Sequence, residues 1–308
     1  MPTFRKMHDD EVPTDVALVR RLLAAQFPHW ADLRIEPVPS AGTDNALYRL
    51  GSHMVVRLPR IAWAVGQVDK EHRWLPKLAP LLPLAIPSPL ARGSPAEGYP
   101  WHWSVYRWLE GKDATVARVA DPLQAATELA QFITALQRID PTGGPLAGEH
   151  NFFRGVPLAA RDEPTRAAIA ALHRDVDTRA VTAAWEASLR APAWDGAPVW
   201  IHGDLQPGNL LVADGRLTAV IDFGGLGVGD PACDLMAAWS FFSADAREVF
   251  RANLRVDDAT WSRGRGWALS VGLIALPYYR ETNPTLSATA RRAIGEAVGD
   301  YIGMSQRD

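Results

Sequence analysis

The chain has 308 residues, with 32 Lys and Arg against 35 Asp and Glu, so its net charge is −3. Its 47% hydrophobic residues exclude global disorder, and the balanced charge predicts neither a nucleic-acid nor a membrane partner. The single cysteine, Cys233, excludes a disulfide framework and a zinc site built from several cysteines. Because no apolar run approaches about 18 residues and no signal-peptide pattern opens the chain, we expect a cytoplasmic protein.

The first 110 residues show alternating helix and strand patterns. Apolar spacings near 3.6 and 2 predict, in chain order, a helix over 14–27, strands over 34–38, 46–50 and 54–58, a helix over 67–79 and an aromatic strand over 101–109. A turn-rich segment, 39–44, joins the first two strands, and a proline-broken stretch, 80–100, precedes the last. We expect a mostly antiparallel sheet that carries a helix.

The composition changes after Glu110 and Gly111, and helical periodicity dominates from there on. The predicted helices cover 122–138, 163–191, 231–255, 258–278 and 285–302, with a loop over 142–160 and a small strand-rich block over 199–223. At about 150 residues per domain, the length fits two parts. We therefore expect an α+β protein with domains 1–110 and 111–308.

The strand-rich block holds a polar loop between apolar strands, and that loop contains Asp204 and Asn209. The next strand ends at Asp222. An Asp-Gly pair at 214–215 is a strong hairpin signal, and a hairpin would bring the loop beside the end of that strand. We therefore expect the oxygen-bearing side chains of Asp204, Asn209 and Asp222 to converge.

These three residue types fit phosphoryl-transfer chemistry. Carboxylate and amide oxygens are hard ligands that suit Mg²⁺, and a further carboxylate held off the metal can accept the proton of an attacking hydroxyl. Asn209 follows Asp204 by five positions, as in the H-R-D-x-x-x-x-N loop of protein kinases, with Gly203 in the Arg position. Asp222-Phe223-Gly224 matches the D-F-G element of the same enzymes.

The sequence resembles the aminoglycoside phosphotransferase/choline kinase-like family over most of its length, most specifically over 200–235. The resemblance is carried by His202-Gly203-Asp204-x4-Asn209, by Ile221-Asp222-Phe223-Gly224 and by the G-D-P-x-x-D-L element, Gly229–Leu235. It implies a bilobal protein-kinase-like fold, with a small antiparallel-sheet nucleotide-binding lobe and a mainly helical catalytic and acceptor-binding lobe. By this analogy Asp204 is the catalytic base, while Asn209 and Asp222 hold Mg²⁺.

The nucleotide contacts are less specific in sequence. No P-loop motif is present. The loop after the first strand offers Ser40, Gly42 and Thr43 to the β- and γ-phosphates, although a plain polar turn explains them equally well. Arg57 stands where protein kinases use Lys, and Glu71 on the next helix is its expected partner. The planar guanidinium of Arg57 suits bidentate contacts with phosphate.

The resemblance also implies that ATP or GTP docks its purine on the backbone of Tyr106 and Trp108. Four residues near the catalytic loop are expected to have structural roles. His202 would pin the loop by hydrogen bonds, Cys233 would pack as a small apolar residue, Asp230 would brace the segment after Asp222, and Asp234 would bind the loop backbone.

The leading interpretation is a small-molecule kinase that transfers the γ-phosphate of ATP or GTP to a hydroxyl of a small acceptor. An aminoglycoside-type antibiotic, an amino alcohol and a sugar metabolite all stay open as acceptors. Aromatic residues near the acceptor region, such as Trp239 and Tyr278, are more often core than binding residues. The alternative is a nucleotide-binding pseudokinase or regulatory module. A metal-dependent hydrolase would need further ligands, and a protein kinase would need a longer activation loop.

Overall fold

The computed structural model describes residues 11–39, 42 and 44–305 of the chain. These residues divide into two compact units, each described here by itself. One unit comprises the residues up to Pro80 together with Ala85–Glu110, and the other comprises Leu81–Leu84 together with everything from Gly111 onward. Among the described residues, no helix combines the length and the apolar character that a membrane span needs.

The first unit is a five-stranded antiparallel sheet accompanied by two helices, with the strand order β1-β2-β3-β5-β4. Its elements are α1 (Val16–Gln26), β1 (Ile35–Pro37), β2 (Asn45–Leu50), β3 (Met54–Pro59), α2 (Val65–Leu78), β4 (Pro89–Gly93) and β5 (Trp103–Arg107). The expected sheet with its helices is therefore present.

The core of this unit forms between one face of α1 and one face of the sheet. Asp15 caps α1, because its carboxylate accepts a hydrogen bond from the Leu18 N–H at 2.7 Å. Leu22 and Leu23 are buried on the helix face that the periodicity predicts. Along β2, buried residues alternate with partly exposed ones, so every second side chain enters the same core.

Strand β4 lies in the stretch that the sequence analysis treats as broken by prolines. It is an edge strand that begins at Pro89, a position where the missing N–H costs no ladder hydrogen bond. The register shifts between Pro89 and Ala91, which accommodates the irregular start. Because the prolines indicated broken structure in this stretch, the sequence did not predict this strand.

The second unit is dominated by helices. Its helices are α3 (Pro122–Arg138), α4 (Asp162–Ala171), α5 (Thr178–Arg190), α6 (Ala237–Ser240), α7 (Ala244–Leu254), α8 (Asp258–Tyr279) and α9 (Pro284–Ser305). Its strands are β6 (Lys112–Asp113), β7 (Val199–Ile201), β8 (Leu210–Ala213), β9 (Arg216–Val220) and β10 (Gly227–Gly229). An antiparallel-sheet unit followed by a mainly helical unit is the α+β class expected from the sequence.

Two predicted helices are each divided in the structure. The stretch 163–191 contains α4 and α5, because Asp177 caps a new helix by accepting from the Arg179 and Ala180 N–H groups. The stretch 231–255 opens as a 3₁₀ segment, Pro231–Met236, before α6 and α7. A side-chain cap marks the first break, whereas α6 and α7 begin without a side-chain cap hydrogen bond.

The hairpin predicted at 214–215 is confirmed. Strands β8 and β9 pair antiparallel, and both Asp214 and Gly215 have positive φ angles, of 50° and 74°. This is the backbone that a two-residue turn of the primed type requires. The pair β7 and β10 places Ile201 opposite Gly227, so the residues after 201 and those before 227 leave the ladder at the same end.

We predict that Asp121→Ala destabilises the second unit by about 1 kcal/mol, because Asp121 caps α3. Its Oδ1 accepts hydrogen bonds from the Leu123 N–H at 2.9 Å and from the Gln124 N–H at 3.0 Å. Chemical denaturation measures the change. Asp121→Asn keeps an amide oxygen at the cap and serves as the control, so equal losses in both variants would contradict the capping role.

Candidate active site

Asp204 and Asn209 are in direct contact in the loop that follows β7. The Asn209 Nδ2 donates to the Asp204 Oδ2 at 2.9 Å and to the Asp204 main-chain oxygen at 2.8 Å. Gln206 donates a second hydrogen bond to the same Oδ2, also at 2.9 Å. One oxygen of the carboxylate is therefore fixed by two amides, and the side chain stays about one-quarter exposed at 25%.

Asp222 adjoins this pair through the backbone. It follows Ile221, whose N–H donates to the Asn209 main-chain oxygen at 2.9 Å. Asp222 itself has a φ of 62°, a conformation uncommon for a residue other than glycine, and its Oδ1 accepts from the Gly224 N–H at 3.3 Å. Strain of this kind clusters at functional sites. The hairpin thus brings the three predicted residues to adjoining positions.

The oxygens at this place fit the chemistry of Mg²⁺. The Asn209 Nδ2 donates to Asp204, and this orients the amide so that its Oδ1 points away from Asp204. That oxygen accepts no hydrogen bond from the described residues. Across the part of the chain that the structure describes, no three His, Cys, Asp or Glu residues gather as a metal cage. Mg²⁺ usually takes one or two protein ligands and completes its shell with water and phosphates. Asn209 and Asp222 suit that pattern, and their role as ligands stays a prediction.

The buried carboxylate of Asp234 holds the start of this loop, as expected. Its Oδ2 accepts from the His202 N–H at 2.8 Å, and its Oδ1 accepts from the Gly203 N–H at 2.7 Å. Burial raises the pKa of Asp234, and the two amide donors act in the opposite direction. Both carboxylate oxygens are therefore committed to the loop backbone.

His202 has the structural role that the sequence predicts. Its Nε2 lies 3.0 Å from the Ile221 carbonyl oxygen, and its Nδ1 accepts from the Asp204 N–H at 3.2 Å. This network is satisfied when Nε2 carries the ring proton. The ring also packs edge-on against Phe223 at 4.6 Å. The imidazole thereby ties the loop to the end of β9.

Asp230 and Cys233 also occupy structural positions. Asp230 caps the segment that starts at Pro231, and its Oδ2 accepts from the Arg263 Nε at 2.8 Å in a fully buried ion pair. Arg263 comes from α8, and its pairing with Asp230 was not predicted from the sequence. The Cys233 thiol is buried, and burial raises its pKa, so it behaves as a small apolar group.

In the first unit, Arg57 and Glu71 form the expected pair. The Arg57 Nη1 lies 2.5 and 2.6 Å from the two Glu71 oxygens, and Glu71 is 1% exposed. Gln67 accepts from the Arg57 Nη2 at 2.9 Å, and the Tyr106 hydroxyl donates to the Glu71 Oε2. Burial, followed by the Glu71 charge, raises the pKa of Tyr106, so the phenol stays a donor. This cluster fixes the guanidinium on β3.

The other predicted nucleotide contacts stay predictions, and some of them lie outside the described residues. Ser40 and Thr43 fall outside them, and Gly42 is exposed between β1 and β2. Tyr106 is paired on both sides within the sheet, and the Trp108 N–H donates to the His53 carbonyl at 2.8 Å. The Trp108 N–H is therefore engaged within this unit, and the expectation that backbone groups of Tyr106 and Trp108 bind a purine edge stays a prediction.

Two contacts of Asp204 were not predicted from the sequence. Gln206 is a polar residue inside the loop, and only its position hinted at a role. Arg154 comes from the predicted loop over 142–160, and its Nη2 lies 3.7 Å from the Asp204 Oδ1. By contrast, Trp239 is fully buried as core, while Tyr278 is 53% exposed.

We predict that Glu71→Gln destabilises the first unit by about 3 kcal/mol, because it removes the counter-charge of a nearly buried guanidinium. Thermal and chemical denaturation measure the loss. Asp69→Asn on the same helix is the matched control, since Asp69 pairs with Arg92 at 62% exposure and such pairs contribute little. A Glu71→Gln protein as stable as this control would contradict the assignment.

Gly203→Ala should unfold or distort the loop. Gly203 has a φ of 84°, and a Cβ there would overlap the Gly225 carbonyl oxygen. We expect a loss of several kcal/mol, measured as a lower denaturation midpoint. Gly208→Ala is the control, because a Cβ at that position meets no atom within 4 Å. Equal stability of the two variants would show that the loop adapts.

Solved structures share this fold. An APH(2")-type aminoglycoside phosphotransferase bound to GDP and kanamycin is 19% identical, covers 92% of this chain and 98% of its own, and has a TM-score of 0.69. Macrolide 2'-phosphotransferase MphH from Brachybacterium faecium is 24% identical. The match covers 92% of this chain and 98% of that enzyme, with a TM-score of 0.61. A ternary complex of a second APH(2")-type enzyme with streptomycin and ATP is 16% identical, with 85% and 91% coverage and a TM-score of 0.56. They confirm the protein-kinase-like fold.

The sequence comparisons identify the family. A comparison with curated proteins returned no match. The model described as the phosphotransferase enzyme family matches residues 35–267, which include Arg57, Glu71 and the whole 202–234 region. Since this match spans well over half of the chain, the protein belongs to the phosphotransferase enzyme family, whose members transfer a phosphoryl group to an alcohol.

Proposed function

We propose that this protein transfers the γ-phosphoryl group of ATP or GTP to a hydroxyl of a small acceptor, with Asp204 as the catalytic base. The observation that carries the proposal is the anchored carboxylate of Asp204. Asn209 and Gln206 hold its Oδ2, and the side chain is partly exposed beside Asp222. A general base must lie in the right place before its proton affinity matters, and these hydrogen bonds fix the position of the Asp204 carboxylate.

Asp204 orients the acceptor hydroxyl and takes its proton as the new bond to phosphorus forms. Because phosphoryl transfer passes through a loose transition state, most of the rate comes from alignment and charge stabilisation. The two amide hydrogen bonds restrict rotation of the carboxylate. They therefore hold the acceptor oxygen in line with the leaving group.

The residues proposed to hold Mg²⁺ are Asn209, through its Oδ1, and Asp222. The ion would neutralise charge on the phosphate oxygens during transfer. Arg57 is proposed to contact the phosphates, with Glu71, Gln67 and Tyr106 fixing its guanidinium. A buried, oriented arginine loses less conformational freedom on binding than a mobile lysine.

The names of similar solved structures support a proposal for the acceptor class. Their names cite aminoglycosides and macrolides, two classes of hydroxylated antibiotic. We propose a hydroxylated small molecule of comparable kind as the acceptor. A panel of aminoglycosides, macrolides, amino alcohols and sugars with radiolabelled ATP and GTP would identify it. A chain that binds nucleotide yet labels no acceptor would support the pseudokinase alternative.

Asp204→Asn should lower kcat by about 10²- to 10⁴-fold while nucleotide binding stays close to that of the wild type. Transfer of labelled phosphate to the acceptor and nucleotide titration measure the two effects. Asp214→Asn is the matched control, since Asp214 is an exposed turn residue in a conformation that Asn tolerates. Full turnover by Asp204→Asn would refute the assignment.

A further inference from the structure

The segment 148–155, called here the 148–155 loop, is hydrogen-bonded to residues on either side of β10. The buried Asn151 amide donates to the Arg154 carbonyl at 3.0 Å and to the Gly225 carbonyl at 3.2 Å, and its oxygen accepts from the Gly148 N–H at 3.0 Å. The Gly155 carbonyl accepts from the Asp230 N–H at 2.8 Å. Arg154 is therefore held firmly on both sides.

The loop adopts an unusual backbone to do this. Phe152 and Phe153 have φ angles of 55° and 57°, and Gly155 follows at 83°. Bulky residues rarely adopt positive φ, and two in succession require support from the surrounding structure. Both phenylalanines are about half exposed, at 45% and 49%, so burial of their rings does not explain the strain. Its structural result is the placement of the next residue, Arg154.

The guanidinium of Arg154 faces the oxygen of Asp204 that the amides leave open. Its Nη2 lies 3.7 Å from the Asp204 Oδ1, and its side chain is 14% exposed. Its Nη1 is buried with no hydrogen-bond partner among the described residues. The separation is longer than a charge-assisted hydrogen bond, so Oδ1 keeps its capacity to accept a proton from another group.

We propose that Arg154 is a positioning residue for phosphoryl transfer, and that the acceptor hydroxyl is bound at the Asp204 Oδ1. This inference rests on the proposed function. The amides of Asn209 and Gln206 fix Oδ2, and the Arg154 charge holds Oδ1 on the side where the acceptor arrives. In the step, the hydroxyl proton moves to Oδ1, the acceptor oxygen bonds to the γ-phosphorus, and the bond from that phosphorus to the β–γ bridging oxygen breaks, releasing the nucleoside diphosphate.

The test compares Arg154→Met and Arg154→Lys with the wild type, using the acceptor found in the panel. We expect Arg154→Met to lower kcat about 10- to 100-fold, with the KM for nucleotide within about twofold, because a misplaced base slows the chemical step. Arg154→Lys should recover part of the rate, since lysine keeps the positive charge but lacks the planar guanidinium group. Arg174→Met, at an exposed arginine on the same unit, is the matched control.

A second arm separates positioning from mere stability. In an Asp204→Asn background, Arg154→Met should lower kcat no further, because the residue acts through the base. The denaturation midpoint of each variant is measured in parallel. An additional loss in the double variant, full kcat in Arg154→Met, or a loss of rate that only follows the folded fraction would overturn the inference.

Failure of the proposed function has a different signature. A wild-type protein that labels no acceptor, or an Asp204→Asn protein that keeps full turnover, refutes the proposed function and this inference together. When wild type and Asp204→Asn behave as expected and Arg154→Met keeps the wild-type kcat, only the inference about Arg154 is refuted.

Discussion

The buried Asp234 carboxylate, bonded to two consecutive backbone N–H groups, is the constraint on which the rest of the site depends. It fixes His202 and Gly203, and these set the direction in which the chain enters the loop. A carboxylate offers one acceptor oxygen to each N–H group, whereas an amide side chain has a single oxygen and would turn its NH₂ donor toward the second N–H. Everything that follows in the loop, including the placement of Asp204, starts from this attachment. Burial raises the pKa of Asp234, and the same two donors oppose that rise without cancelling it.

The parts of the site that the sequence could predict are local ones. Asp204 and Asn209 lie five positions apart in one loop, and the Asp214–Gly215 turn places Asp222 by hairpin geometry alone. Short strands such as β10 could not be predicted, because three residues carry no periodic pattern and exist only through pairing. The contact of Arg154 with Asp204 could not be predicted for a related reason. It joins residues 50 positions apart, and nothing in the local pattern of 142–160 indicates that pairing.

The first unit shows how tertiary context changes the use of a predicted residue. The Arg57–Glu71 pair was predictable because a strand and the following helix bring both side chains together. The resemblance implies a purine contact for the Tyr106 backbone, which stays a prediction, while the structure shows that the Tyr106 hydroxyl donates to Glu71 and that its strand is paired on both sides. A central strand has neighbours on both sides, so its backbone groups are already satisfied. Strand pairing decides which backbone N–H groups remain available to a ligand, and the sequence pattern does not reveal that pairing.

The attachment of His202 and Gly203 to Asp234 has a consequence for the dynamics of the molecule. The amide protons of these two residues are shielded by a carboxylate more than 30 positions away, so solvent reaches them only when the 229–236 segment separates from β7. Hydrogen exchange at both amides should therefore follow one opening event, shared with the residues around Asp234. The loop after β7 and the 229–236 segment then behave as a single cooperative unit, which opens and closes together.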